Sequence, residues 1–122
     1  MERVLVRAGS MGRAVGALDV IEALNALPET EVVEAGSDGA AWLAPVLADA
    51  NGNLQPAGGD PLAALERLRA GQSQPELAAY LKSQSRRLLA RAGRIDPTSL
   101  TESQAEGAYE GLAAVLQMTS EQ

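Results

Sequence analysis

The hydrophobic pattern changes period several times along the chain, and each change marks an element. Arg3 to Arg7 (RVLVR) is a short β-branched and leucine run closed by Gly9-Ser10, which predicts a buried first strand. From Met11 the period becomes helical: Val15, Leu18, Ile21, Ala23, Leu24 and Leu27 make a stripe, Asp19 and Glu22 lie opposite, and Pro28 ends it. Glu31 to Ala35 (EVVEA) predicts a second strand, stopped by Gly36. Strand, helix and strand in succession predict a βαβ unit, with adjacent parallel strands and a right-handed crossover.

The second half is punctuated by turn residues. Gly36-Ser37-Asp38-Gly39 is a loop, and Ala41 to Ala50 (AWLAPVLADA) reads as a strand carrying Trp42. Asn51-Gly52-Asn53 is a hairpin signal, returning Leu54 to Ala57 as a short edge strand ended by Pro56. Asp60-Pro61 places an N-cap before proline at the first helical position, and the helix runs to about Ala70 before Gly71. Gln72-Ser73-Gln74 reads as a polar linker. A longer helix is expected from Pro75 to about Ala92, with Leu77, Leu81, Leu88 and Leu89 as its apolar positions and Gly93 as its stop.

The last stretch, RIDPTSLTESQAEGAYEGLAAVLQMT, is a helical extension. Thr98 or Ser99 can cap its first turn, with Glu102 at capping-box spacing from Ser99. A second helix is expected from Ala108 to Gln117. The division that follows is a domain over 1–92 and a helical linker over 93–122.

Composition adds one unusual property and several exclusions. The chain has 122 residues, enough for one domain and an extension, and only Trp42, Tyr80 and Tyr109 are aromatic. A core of alanine and leucine buries less area per residue than an aromatic one, which implies modest stability alone. No cysteine and no histidine are present, which removes thiol chemistry, thiolate-bound clusters, the usual zinc sites and the commonest general base. Absence of cysteine fits a cytoplasmic protein. No apolar run approaches the roughly twenty residues of a membrane span, so no membrane insertion is expected.

The net charge of −6 argues against nucleic acid as a partner. The cations are nonetheless clustered: Lys82, Arg86, Arg87, Arg91 and Arg94 are five of the ten, within thirteen residues. They make either a solvated helix face or a docking surface for an acidic partner. Gly9, Gly12 and Gly16 follow a strand and open a helix, but their spacing is not that of a dinucleotide loop and no phosphate-binding lysine follows. They are read as turn and packing glycines. Asp38, Asp49 and Ser37 have no base beside them, so no catalytic set is assigned. Trp42 is a core or interface anchor rather than a stacking platform, and Tyr80 and Tyr109 are expected to pack helices onto the sheet.

Three stretches together resemble a known family. "IDPTSL" followed by "EGAYEGLAAVLQMT" is similar to the segment that introduces the flavin domain in two related subunits. These are the beta subunit of NAD-dependent formate dehydrogenase and the NADH-binding flavoprotein subunit of respiratory complex I. Ile95, Asp96, Pro97, Ser99, Leu100, Gly107, Tyr109, Gly111, Leu112, Met118 and Thr119 carry the match, while Ala108 and Ser120 depart from the family's glycine and proline. "VEAGSDGAAWLAPVL" resembles a pattern of the formate dehydrogenase type through Gly36, Ser37, Gly39, Trp42, Leu43 and Pro45. "VLVRAGSMGRAVGALDVIEAL" looks like that subunit's first strand and helix.

The resemblance implies a thioredoxin-like α/β domain, built βαβ-ββ-α and followed by a helical C-terminal linker. It implies no cofactor in these 122 residues. The parent's FMN, NAD and 4Fe-4S cluster would be held downstream, where hydride and electron transfer would occur. The implied role is structural, docking the flavin module against other subunits of an oxidoreductase complex. The docking candidates are Lys82, Arg86, Arg87, Arg91, Arg94, Trp42 and Tyr109. The alternative is a stand-alone small adaptor that binds an acidic protein partner through its basic helix.

Overall fold

The computed structural model describes residues 1–87 and 90–119. Four strands form one mixed sheet: β1 (Glu2–Arg7), β2 (Thr30–Ala35), β3 (Val46–Ala48) and β4 (Leu54–Pro56), in the order β2-β1-β3-β4. β1 pairs parallel with β2 (Val4 opposite Val32) and antiparallel with β3 (Val6 opposite Leu47), and β3 pairs antiparallel with β4. This is the thioredoxin-like α/β arrangement: a βαβ half and a ββα half sharing one sheet, with a helical C-terminal part.

Alternation along the central strand divides the core. Val4 and Val6 join Leu47 on one face, beneath α2 (Ala17–Asn25) and α3 (Pro61–Arg69), which supply Ala17, Val20, Leu24, Ala64, Leu65 and Leu68. Leu5 lies on the other face with Ala35, Val46, Ala48 and Leu54, under α4 (Pro75–Ser83), which contributes Leu77. Both faces are covered, which fits the apolar runs Val4–Val6 in β1 and Val46–Ala48 in β3.

The first helix is two pieces. α1 (Ser10–Ala14) precedes α2, and Gly16 between them has φ +98, a left-handed conformation that resets the helical phase. The buried stripe therefore begins after the break, at Ala17, Val20 and Leu24 with Ile21 and Leu27 partly buried. Val15 and Leu18, expected in the stripe, are about half exposed. Gly12 is buried, and a Cβ there would lie 2.7 Å from the Arg7 carbonyl oxygen, so the position takes no side chain.

Trp42 is not on a strand. Ala41–Leu43 is a short 3-10 turn, the Ala44–Pro45 peptide is cis, and the strand begins only at Val46. The hairpin forms as expected: the Asp49 carboxylate accepts from the Asn53 backbone N–H (2.8 Å) and from its Nδ2 (2.7 Å), and Gly52 takes φ +84.

Gln72-Ser73-Gln74 is more than a linker. Ser73 Oγ accepts from Leu54 N at 3.0 Å, and Gln74 N donates to Leu54 O at 2.7 Å. The segment thus covers the free edge of β4, a place where an open strand would invite another chain.

α3 is capped as its sequence predicts, with Asp60 accepting from Ala63 N at 2.9 Å and Pro61 in the first turn. Asp60→Ala is expected to cost about 1 kcal/mol, read as a lower urea midpoint with an unchanged slope; an unaltered midpoint would show the cap to be dispensable.

Candidate docking surface

The second face of the sheet carries charge among its apolar residues. Arg7, last in β1, shares a face with Leu5 and is buried. Its guanidinium pairs with the Asp38 carboxylate from the loop after β2, with side chains 8% and 3% exposed. The other Asp38 oxygen accepts from Ala40 N at 3.1 Å. Burial pushes the Arg7 guanidinium down to about 10, and the Arg86 charge adds to the shift. Arg7 therefore stays charged at neutral pH and needs the carboxylate beside it.

Gly93 packs directly over this guanidinium. A Cβ there would be 3.0 Å from Arg7 Nε and 3.1 Å from Cζ, and its φ of +77 already favours glycine. Arg86 Nη2 donates to the Ala92 carbonyl at 2.8 Å, beside Gly93.

Between the Asp38 loop and the end of α4 with the residues after it lies an open groove of about 910 Å³, lined by Ser37, Gly39, Tyr80, Gln84, Arg86 and Arg87. Tyr80 meets Trp42 edge to face, with ring centroids 4.7 Å apart and planes at 89°. Trp42 remains 56% exposed, so it stands as an aromatic rim beside the groove rather than as a core residue.

The basic helix of the sequence reading is not present. α4 ends at Ser83, whose hydroxyl donates to the Tyr80 carbonyl at 2.8 Å, and Gln84 turns extended with ψ 135. The side chain satisfies a C-terminal carbonyl that a continuing helix would have used, and four polar residues follow. Only Lys82 among the five cations is helical. Arg86 is half-buried at the groove, while Arg87, Arg91 and Arg94 are exposed on irregular chain. Arg94 lies 3.8 Å from Glu106. Leu88 and Leu89 fall outside the described residues.

The C-terminal part is tied to the sheet at its start. Ser99 caps α5 (Leu100–Ala105), accepting from Glu102 N at 3.2 Å. Glu102 does not complete a capping box: it reaches back past the cap, accepting from Arg3 Nη2 at 2.6 Å and from the Asp96 backbone N–H at 3.0 Å. These two hydrogen bonds hold the Glu102 carboxyl below the usual carboxylate range, Arg3 being the larger cause. Asp96 is held low too, chiefly by the Thr98 hydroxyl and then by the Thr98 N–H.

Because both folded values are depressed, the stabilisation exists above the usual carboxylate range and disappears as pH falls through the lowered values. Acidification is therefore expected to loosen α5 before the sheet, measured as amide exchange over 100–106 that is faster relative to the intrinsic rate at the same pH. Glu102→Ala should reproduce that exchange at neutral pH; slow exchange in the variant would refute the clasp.

Beyond α5 the described chain is largely exposed. Tyr109 has φ +68 and precedes α6 (Glu110–Val115), and residues 109–119 are all exposed. Tyr109 thus does not pack a helix onto the sheet; its left-handed backbone directs α6 away, and its ring is 58% exposed.

Sequence reasoning missed both charged clasps. An arginine inside an apolar strand is a usable signal for a buried partner, but neither Asp38 nor Glu102 is adjacent to its arginine in sequence. Among the described residues no group of histidine, cysteine or carboxylate side chains could hold a metal, and no helix is long and apolar enough to cross a membrane. Compared with known proteins, the chain matches no family model and no curated protein.

Proposed function

We propose that this chain is the N-terminal docking domain of a formate dehydrogenase-type NADH oxidoreductase beta subunit, acting in the cytoplasm. The observation that carries the reading is the exposed apolar segment 109–119, which follows a thioredoxin-like domain whose composition cannot ligate a cluster. The segment's resemblance to a flavin-domain entry supplies the identity of what it would meet. FMN, NAD and a 4Fe-4S cluster belong to the downstream region, and hydride transfer occurs there. The domain itself positions that region against other subunits of the complex.

The coding DNA after codon 122 tests this. An open frame running into a glycine-rich flavin segment and a cysteine motif is expected; a stop codon there would sink the docking-domain reading.

The groove supports a second reading, a small adaptor for an acidic protein partner. Its cations do not share one helix, but Arg86 and Arg87 line the groove with Tyr80, against which Trp42 stands. Neutralising Arg86, Arg87 and Arg91 is expected to abolish capture of an acidic partner while the circular dichroism spectrum stays unchanged. Unaltered capture would remove this reading.

A further inference from the structure

Two surfaces of the chain stand unpartnered, and they are complementary. One is the outer side of α6, among the described residues. Leu112, Val115 and Leu116 are spaced i, i+3 and i+4, so they share a helix face, and they are 54%, 60% and 72% exposed. An apolar face of this kind is unstable in water unless something covers it. The other surface is the groove lined in part by Tyr80, Arg86 and Arg87, with the exposed Trp42 held edge to face against Tyr80.

Charge says what fits. Residues 82–94 carry five cations and no acid, whereas residues 95–119 carry Asp96, Glu102, Glu106 and Glu110 and no lysine or arginine. Within one copy Glu102 is taken by Arg3 and Glu106 by Arg94. Arg87 and Glu110 form no ion pair among the described residues, and they belong to the groove and to α6 respectively. A single chain thus displays a basic aromatic groove and an acidic apolar helix, each lacking what the other has.

We propose that the α6 segment of one copy seats in the groove of a second copy of this chain. Leu112 and Leu116 lie against the Trp42–Tyr80 wall, and Glu110 meets Arg87. Apolar burial supplies most of the affinity, and the charge pair selects orientation and speeds encounter. Two adjacent blocks of opposite sign match two copies in opposed orientation, because each copy offers both halves of the contact. The inference rests on neither functional reading and offers the same two surfaces a different occupant.

Light scattering on the purified chain over a range of concentrations tests it. A concentration-dependent shift from monomer to dimer or larger assembly is expected. Arg87→Glu and Leu116→Asp, both at exposed positions, should each weaken association by about tenfold or more, equivalent to at least about 1.4 kcal/mol. Adding Glu110→Arg to Arg87→Glu should recover most of the loss, while unchanged circular dichroism shows each variant folded. A monomer at every concentration overturns the proposal, as does association that Arg87→Glu leaves intact or that the charge swap does not restore. Neither result bears on the reading frame after codon 122, so the proposal and the docking-domain reading fail separately.

Discussion

Asp38→Ala is expected to be among the most damaging single substitutions in this chain, lowering stability by about 3–5 kcal/mol. The reason is the arginine left behind. Arg7 and Asp38 are both buried, and Arg7 remains charged at neutral pH even with its ionisation lowered to about 10. Removing the carboxylate leaves a guanidinium in the interior with Arg86 as its neighbouring charge, and no mobile side chain at Gly93 to replace the lost partner. The pair itself contributes little net stability, because taking two charges out of water offsets most of their attraction. Arg7→Met together with Asp38→Ala should therefore recover much of the loss. Chemical denaturation of the two single variants and the double variant reads the difference directly. A double variant as unstable as Asp38→Ala would show that the loop geometry, not the stranded charge, is responsible.

The pair also links fold to surface. Asp38 fixes the loop that forms one wall of the groove, and Arg7 packs beneath Gly93, close enough to feel the charge of Arg86, which lines the other. Loss of either charge should loosen both walls together. Stability and docking are thus expected to be coupled at this position, unlike at Arg87, which is exposed and touches only the surface.

Local signals in the sequence were sufficient for much of the fold. The β1 and β2 runs, the Asp49–Asn53 hairpin and the Asp60-Pro61 cap each depend on residues within a few positions of one another, and each forms as its pattern implies. The βαβ half and the parallel pairing follow from handedness rules rather than from any one residue. Where the structure departs, one hydrogen bond or one dihedral angle overrules a periodic pattern. Leucine spacing from Leu77 onward supports a long helix, but the Ser83 hydroxyl takes a terminal carbonyl and Gln84 turns extended. Gly16 similarly shifts the buried stripe of α2 off Val15 and Leu18.

The candidate surface was legible only in part, for a physical reason. Composition reveals the clustered cations, but whether they share a face depends on backbone conformation between them. Arg86 and Arg87 reach the groove beside Tyr80 and Trp42, whereas Arg94 turns to Glu106 and Tyr109 stands apart on α6. The Arg3–Glu102 clasp joins the two ends of the chain, and no local pattern announces a contact between them.

Leu77→Ala carries the second large expectation, a loss of about 2–5 kcal/mol. Leu77 is fully buried and is the only buried residue of α4, so it is the main attachment of that helix to the second sheet face. Tyr80 and Leu81 pack beside it only partly buried, which leaves the helix little else to hold it. Leu24→Ala in α2 should cost a similar amount, because Leu24 is also fully buried among several other core side chains. The two variants differ in what they expose. Truncating Leu77 frees Tyr80 to leave Trp42, so the single tryptophan should report the change by fluorescence under conditions where the protein remains folded. Truncating Leu24 acts on the opposite face and should leave that signal unaltered until global unfolding. If both variants change Trp42 fluorescence equally before unfolding, α4 is not an independently hinged wall of the groove, and the two faces of the sheet respond as one unit.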